Sequence, residues 1–151
     1  MTTIDRRRTL ALGAGLAFFA AAPFAVGPAL AANDTAEIAK AFLGGKEPIK
    51  GKLTVDLPEI AENGATVPIA ASVASPMTDA SHVTEVLVLA EANPSANVVR
   101  FRFTPSSGKA DVSLRIRLNA TQNVWVLAKT NDGEVYLEKK MVKVTLGGCG
   151  G

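Results

Sequence analysis

The chain has one cysteine, one histidine, one tryptophan and one tyrosine in 151 residues, and each scarcity removes a class of function. A single cysteine makes no disulfide within the chain, so its thiol is free, joined to another chain, or chemically loaded. One histidine beside one distant cysteine supplies no zinc set. Nor can a Cys–His pair with a third, orienting group form inside the fold. His82 stands just before a strand-like run and reads as an ordinary residue. No glycine-rich loop follows a strand and opens a helix, so there is no phosphate cradle. Aromatics are only 5% of the chain, too few to line a large aromatic groove. Enzyme chemistry therefore has no evident seat, and neither a cofactor nor a metal is expected.

A long apolar span is also missing. Leu12 to Phe24 is mostly apolar but short and rich in Ala and Gly. It follows Asp5-Arg6-Arg7-Arg8-Thr9-Leu10 and precedes the small-x-small site Ala29-Leu30-Ala31, the order of a removed export signal rather than of a membrane anchor. The arginine pair, Arg6-Arg7 or Arg7-Arg8, ahead of a mildly hydrophobic stretch resembles a twin-arginine signal, which exports proteins already folded. Residues 1–31 hold three Arg and one Asp, so the 16 basic and 14 acidic residues of the whole chain become 13 of each once that segment is gone. A neutral mature chain implies neither nucleic acid nor an acidic membrane surface as partner.

Val, Ile, Leu and Ala dominate what remains, and about 120 residues suffice for a core. Ala36 to Leu43 has helical spacing, with Asn33 or Asp34 before it as cap and Gly44-Gly45 as stop. From Lys50 the chain reads as seven short strands between turn signals: 52–57, 66–74, 83–90, 97–103, 111–118, 123–129 and 134–146. Glu62-Asn63-Gly64 is read as a turn and Asn131-Asp132-Gly133 as a hairpin. Val135 and Leu137 are odd-numbered whereas Val142, Val144 and Leu146 are even, which predicts a bulge near Lys139-Lys140. The expected fold is all-β: an immunoglobulin-like antiparallel sandwich with a short N-terminal helix, spanning residues 32–146.

Two runs are apolar on both sides. In 83–90, Val86 and Val88 oppose Leu87 and Leu89; in 123–129, Val124 and Val126 oppose Trp125 and Leu127. In the immunoglobulin-like order these strands share a sheet whose outer face needs cover. One short helix is small for that area, so a partner protein is expected over it. If the Ser106-Ser107 turn closes a hairpin, Arg100, Arg102, Arg115 and Arg117 share one exposed face, read as solvated, with Glu85 nearby, rather than as an anion site.

The remaining stretch is Gly147-Gly148-Cys149-Gly150-Gly151. Glycine tolerates nearly all backbone conformations, and a glycine-rich tail behaves as flexible coil. Residues 147–151 are therefore expected to form a swinging arm that holds the one thiol, that of Cys149, roughly 10 Å past Leu146 and outside any core. Thiols are activated by cations, metals or helix N-termini. The arm has none of these, and the Gly151 carboxylate opposes ionisation, so Cys149 is expected to react mainly inside other proteins' clefts.

These features together resemble the SoxY family, the sulfur-carrier subunits of the periplasmic thiosulfate-oxidising Sox system. The resemblance is carried by Glu62-Asn63-Gly64, Val67-Pro68, Ser75-Pro76-Met77-Thr78, Ala90-Glu91-Ala92-Asn93-Pro94, Phe101-Arg102-Phe103-Thr104-Pro105, Arg115-Ile116-Arg117-Leu118, Thr121-Gln122 and, above all, the terminal Gly-Gly-Cys-Gly-Gly. It implies a periplasmic carrier that is itself no enzyme, with sulfur intermediates bound covalently to Cys149. It also implies a heterodimer with a SoxZ-like subunit. By the same likeness a SoxXA-like haem cytochrome joins thiosulfate to the cysteine. A SoxB-like hydrolase then removes the terminal sulfonate as sulfate, and a SoxCD-like dehydrogenase oxidises the sulfur that remains.

Other classes compete. An exported β-sandwich interaction module with an interchain disulfide at Cys149 would show no sulfur adducts. A ubiquitin-like carrier charged at its terminal Gly-Gly needs cytosolic ATP activation, which an export signal opposes. A tail added for labelling is a third possibility.

Overall fold

A computed structural model describes residues 33–147, so the expected signal segment and Cys149 lie outside the described residues. Helix α1 (Thr35–Leu43) is followed by β1 (Leu53–Asp56), β2 (Ile60–Asn63), β3 (Val67–Val73), β4 (Val83–Ala90), β5 (Asn97–Arg102), β6 (Ala110–Ile116), β7 (Gln122–Thr130) and β8 (Val135–Leu146). Two sheets form an immunoglobulin-like sandwich, one ordered β1-β3-β6 and the other β2-β8-β7-β4-β5. The expected architecture holds, with one strand more than foreseen: β2 takes in Glu62 and Asn63, read from the sequence as part of a turn, and the turn itself falls at Gly64-Ala65.

Alternation builds the core. Val67, Ile69, Ala71 and Val73 of β3 are buried and meet Val86, Val88, Val124, Val126, Tyr136 and Val142 of the opposite sheet. The neighbours of these residues along β4 and β7 form a second apolar layer on the outside of the larger sheet. Registers Leu87↔Leu127 and Leu127↔Leu137 align three leucines across three strands, and Leu89↔Trp125 lies in the next row. Helix α1 lies over these rows: Ala39 and Phe42 are buried against Leu87, Leu89 and Leu127, with Ile38, Leu43, Trp125 and Leu137 packed around them. This overturns the expected partner cover. One face of a nine-residue helix is enough because the apolar strip is only two rows deep; beyond Trp125, Lys139 already lies over the indole, 3.2 Å from its centroid.

The helix ends as its glycines predict. Gly44 takes φ 59° and its N–H donates to the Lys40 carbonyl, a left-handed stop that glycine adopts without a Cβ penalty. Asp34 occupies the N-cap but makes no side-chain cap bond, whereas Asn33 Oδ1 accepts from the Thr35 N–H and hydroxyl.

Two further expectations are corrected. No bulge interrupts β8, whose register against β7 is continuous from Gln122↔Val142 to Lys129↔Val135. The apparent phase change arises because β8 is apolar on both faces in different places: Tyr136 and Val142 point into the core, and Leu137 points to the helix layer. Nor do the four arginines share a face. From β5 the chain crosses through a 3-10 turn at Pro105–Ser107 into the other sheet, so Arg100 and Arg102 lie on one sheet and Arg115 on the other. Arg100 forms an ion pair with Glu85, as a solvated face would. His82 sits immediately before β4, its Nδ1 3.0 Å from the Thr78 carbonyl oxygen.

Candidate functional site

The residues that matter for an arm are those that hold its root. β7 starts at Gln122, opposite Val142, so β8 outruns its antiparallel neighbour by the stretch Lys143 to Leu146. Left open, those residues would fray. On one side β2 pairs with them in parallel, matching Ile60 with Lys143, Ala61 with Val144 and Asn63 with Leu146. The Lys143 N–H donates to the Glu59 carbonyl and the Gly64 N–H to the Leu146 carbonyl, each at 2.8 Å. On the other side Thr121 stands in for the missing strand: its hydroxyl accepts from the Val144 N–H at 2.9 Å and lies 3.5 Å from the Val144 carbonyl. Gly64 ties this end to the smaller sheet's side as well, since its carbonyl accepts from the Leu118 N–H at 2.8 Å. The strand is thus held on both sides up to Val144 and on the β2 side to Leu146, and the exposed Gly147 follows it.

The loops around this end are pinned by buried and half-buried amides. Gln122, 4% exposed, accepts from the Ala92 N–H at 2.7 Å and donates to Asn93 Oδ1 and the Ala120 carbonyl, each at 3.0 Å. Asn93 also donates to the Arg117 carbonyl and accepts from the Asn119 N–H. Asn33, at the start of the helix, donates to the carbonyls of Ala90 and Asn93. The Glu91 carboxylate takes one bond from Asn123 at 2.8 Å and one from the Trp125 indole at 2.6 Å. A shallow groove runs from Thr35 past Glu91 and Trp125 to Met141.

At the other end of β8 the hairpin turn holds the perturbed titrating groups among the described residues. Glu134 accepts from the Tyr136 hydroxyl and lies 3.1 Å from Lys52 Nζ. Those two contacts, in that order, hold its carboxyl below the ordinary range. The Thr130 hydroxyl does the same for Asp132. The Tyr136 phenol is pushed up, first by burial and then by Glu134, and the Lys52 ammonium is pushed up by Tyr136 and Glu134. This cluster staples the turn, at the opposite end of β8 from Leu146.

Of the expected site residues, the structure places Gly147 directly after β8, while Gly148, Cys149, Gly150 and Gly151 lie outside the described residues. Sequence reasoning missed the clamp formed by β2 and Thr121. The strand pattern gave little sign of it, because β2 is four residues long and only Ala61 is buried.

The class is an immunoglobulin-like sandwich whose last strand ends at Leu146, three residues before the one cysteine of the chain. The family model described as sulfur oxidation protein SoxY matches residues 39–149, through that cysteine, and the chain belongs to this family. The structure of the sulfur carrier protein SoxY from Chlorobium limicola f thiosulfatophilum is similar at 33% identity, covering 75% of this chain and 98% of that one, with a TM-score of 0.59. A superoxide reductase (neelaredoxin) from Ignicoccus hospitalis is similar at 19% identity, covering 71% and 85%, with a TM-score of 0.56. A putative superoxide reductase from Thermotoga maritima is similar at 19% identity, covering 68% and 89%, with a TM-score of 0.53. The last two likenesses are of fold alone. No curated protein matches the sequence. Family and fold together make the chain a sulfur-oxidation carrier that works with Sox-system partners.

Proposed function

We propose that the protein carries sulfur intermediates covalently on Cys149 and presents them to successive enzymes on the arm 147–151, formed by Gly147, Gly148, Gly150 and Gly151 around the cysteine. The observation that carries this reading is the family match running through Cys149, three residues past a strand end that β2 holds at Leu146 and Thr121 at Val144. The chemistry closes on one sulfur atom. Thiol and thiosulfate join as Cys–S–S–SO3−, releasing one proton and two electrons to a haem cytochrome of the SoxXA kind. Water then cleaves the terminal S–S bond in a SoxB-like hydrolase, giving sulfate, a persulfide Cys–S–S− and two protons. A SoxCD-like dehydrogenase oxidises the outer persulfide sulfur with three waters to Cys–S–SO3−, passing six electrons to its own acceptor and releasing six protons, and a second hydrolysis frees sulfate and returns the thiol. The carrier turns nothing over itself; it keeps reactive sulfur bound between active sites. The reading includes a constitutive SoxZ-like partner and export to the periplasm behind a twin-arginine signal in residues 1–31, with residues 32–146 as the body. Among the described residues no helix is long and apolar enough to cross a membrane.

Two variants and intact mass spectrometry test it. Wild-type protein from thiosulfate-grown cells should carry sulfur-containing mass additions on Cys149; Cys149→Ser should carry none, fold normally and abolish thiosulfate oxidation. Replacing Gly147 and Gly148 with proline fixes φ near −65° and thickens the arm. That variant should keep its stability and its reaction with a small thiol reagent while turnover by the partner enzymes falls. Adducts retained on the serine variant, or a disulfide-linked dimer as the functional species, would refute the carrier role.

A further inference from the structure

The two sides of the sandwich are closed differently. Where β1 and β2 form its edges, their inward residues Leu53, Val55 and Ala61 are buried. On the other side the edges are β5 and β6, whose inward residues Val99, Phe101, Val112 and Leu114 pack against the core yet are only half-buried. A missing strand is the cause. A seven-strand immunoglobulin-like sandwich has four strands in the sheet that corresponds to β1-β3-β6. Here that sheet stops at three, and β6 has no outer neighbour among the described residues.

β5 also has an open hydrogen-bonding edge. The Phe103 N–H donates to the Thr84 carbonyl at 2.9 Å, and the register continues as Val86↔Phe101 and Val88↔Val99. Backbone groups alternate direction along an antiparallel strand, so the N–H and C=O of Arg100 and Arg102 turn away from β4 toward the open edge. Their side chains lie on the sheet's outer face, in register with Leu87 and Glu85. Arg100 is paired with Glu85, whereas Arg102 has no carboxylate within ion-pair distance among the described residues. A strand laid along this edge meets both faces at once. Its side chains fall alternately beside Val99 and Phe101 in the seam and beside Arg100 and Arg102 outside.

Charge, composition and position choose the occupant. A second copy of this chain is opposed by charge: pairing β5 with itself about Phe101 sets Arg100 against Arg102, and pairing about either arginine sets that residue against itself. The chain's own tail cannot supply the strand, since residues 147–151 are glycine but for Cys149 and offer nothing to fill the seam. A strip of core left half-open suits a permanent partner rather than a passing enzyme, because obligate interfaces resemble a domain core cut in half. β5 is also the edge of its sheet furthest from β2 and β8, so a subunit bound there leaves the end of β8 clear. We propose that the β5 edge seats the constitutive partner subunit, which adds one strand of alternating apolar and acidic residues. The apolar residues close the seam over Val99 and Phe101, and the acidic ones lie opposite Arg100 and Arg102. This rests on the carrier reading above and places its partner away from the face that α1 seals.

The test compares amide hydrogen exchange, read residue by residue by NMR, in the isolated full chain and in its complex with the partner subunit. The Arg100 and Arg102 N–H groups should exchange fast in the isolated chain and about a hundredfold or more slowly in the complex, while Phe101, already turned toward β4, changes less. Arg102→Glu should weaken the complex about tenfold or more by setting like charges across the pair. Arg102→Ala should weaken it less and lower its dependence on salt. Arg102→Pro removes the outward N–H without breaking a bond to β4. In the isolated chain it should melt close to the alanine variant, yet it should bind the subunit more weakly than that variant does. Unprotected Arg100 and Arg102 amides in the complex, or equal affinities of the alanine and proline variants, overturn the proposal. An isolated chain that dimerises with those two amides protected overturns the choice of occupant. If protein from thiosulfate-grown cells carries adducts on Cys149 but no stable subunit, the proposal fails and the carrier role stands. If the complex protects the edge while Cys149 carries no adduct, the carrier role fails and the edge assignment stands.

Discussion

Truncating Phe42 to alanine measures how far the helix, rather than another protein, seals the larger sheet. Phe42 is 8% exposed and lies on Leu87, Leu89 and Leu127, each with no exposed surface. A buried Phe→Ala change costs about 3–5 kcal/mol through lost transfer energy and the cavity left behind. That is a lower bound for this site. A helix of nine residues has little stability of its own, so losing its main anchor also weakens the docking of the whole segment. Full undocking would uncover the three leucines at about 1.5–3 kcal/mol each. The expected loss is therefore about 3–9 kcal/mol, and at about 4 °C per kcal/mol for a domain of this size the midpoint should fall by at least 12 °C. Urea unfolding followed by tryptophan fluorescence is the natural assay, because Trp125, the one tryptophan, packs against this same layer. A loss below about 1 kcal/mol would refute the reasoning and reopen the case for another cover over this face.

Two more tests probe the ends of the sandwich. Gln122→Ala leaves the Ala92 N–H and the Ala120 carbonyl without their partner, which should cost about 2–3 kcal/mol in thermal or urea unfolding. Gln122→Glu should be worse at neutral pH and recover in acid, since its carboxylate would face the acceptors Asn93 Oδ1 and Ala120 O. At the hairpin turn, Glu134 and Asp132 titrate below their ordinary values of 4.5 and 3.8, so the fold binds fewer protons than the unfolded chain in mild acid. Their stabilisation is complete above about pH 4.5 and is lost as pH falls through the folded values. Glu134→Gln with Asp132→Asn should flatten the acid limb of a melting-temperature profile. Lys52 and Tyr136 are shifted up, so their contribution should disappear only in strong alkali.

Much of the fold could be read from the chain because its turns are chemically explicit. Gly44 in the left-handed region and Gly133 at φ 84° fall where the sequence marks the helix stop and the β7–β8 hairpin. The doubly apolar strands β4 and β7 correctly announced a sheet covered on both sides. The identity of the cover was not legible, because apolar strands reveal that a face is buried but not what buries it. β2 escaped because its pairing is parallel and four residues long, so most of its stability comes from backbone bonds to β8 that leave no side-chain pattern. The false bulge in β8 came from assigning Leu137 and Val142 to one core when there are two. The arginine face failed for a topological reason: alternation shows which side of a strand is polar, but not whether the next strand stays in the same sheet. The end of β8 was the least legible part, since Thr121 substitutes for a strand with one hydroxyl, and no periodicity records that.

Under the carrier reading that strand end has a quantitative consequence. Whatever conformation residues 147–149 adopt, a root fixed at Leu146 confines Cys149 to within about 10 Å of it. The half-space open to it is then about 2,000 Å³, equivalent to a local concentration on the order of 1 M at the cleft of a docked enzyme. Without β2 and the Thr121 hydroxyl, β8 could peel back to Val142, where β7 still holds it. The reach would then grow to about 24 Å, the volume more than tenfold, and the local concentration would fall in proportion. A longer free tail is thus a poorer donor even though it reaches further, because the enzyme's contact with the body no longer fixes where the sulfur is. The short parallel strand and the single threonine hydroxyl, minor features of the sandwich, set that distance.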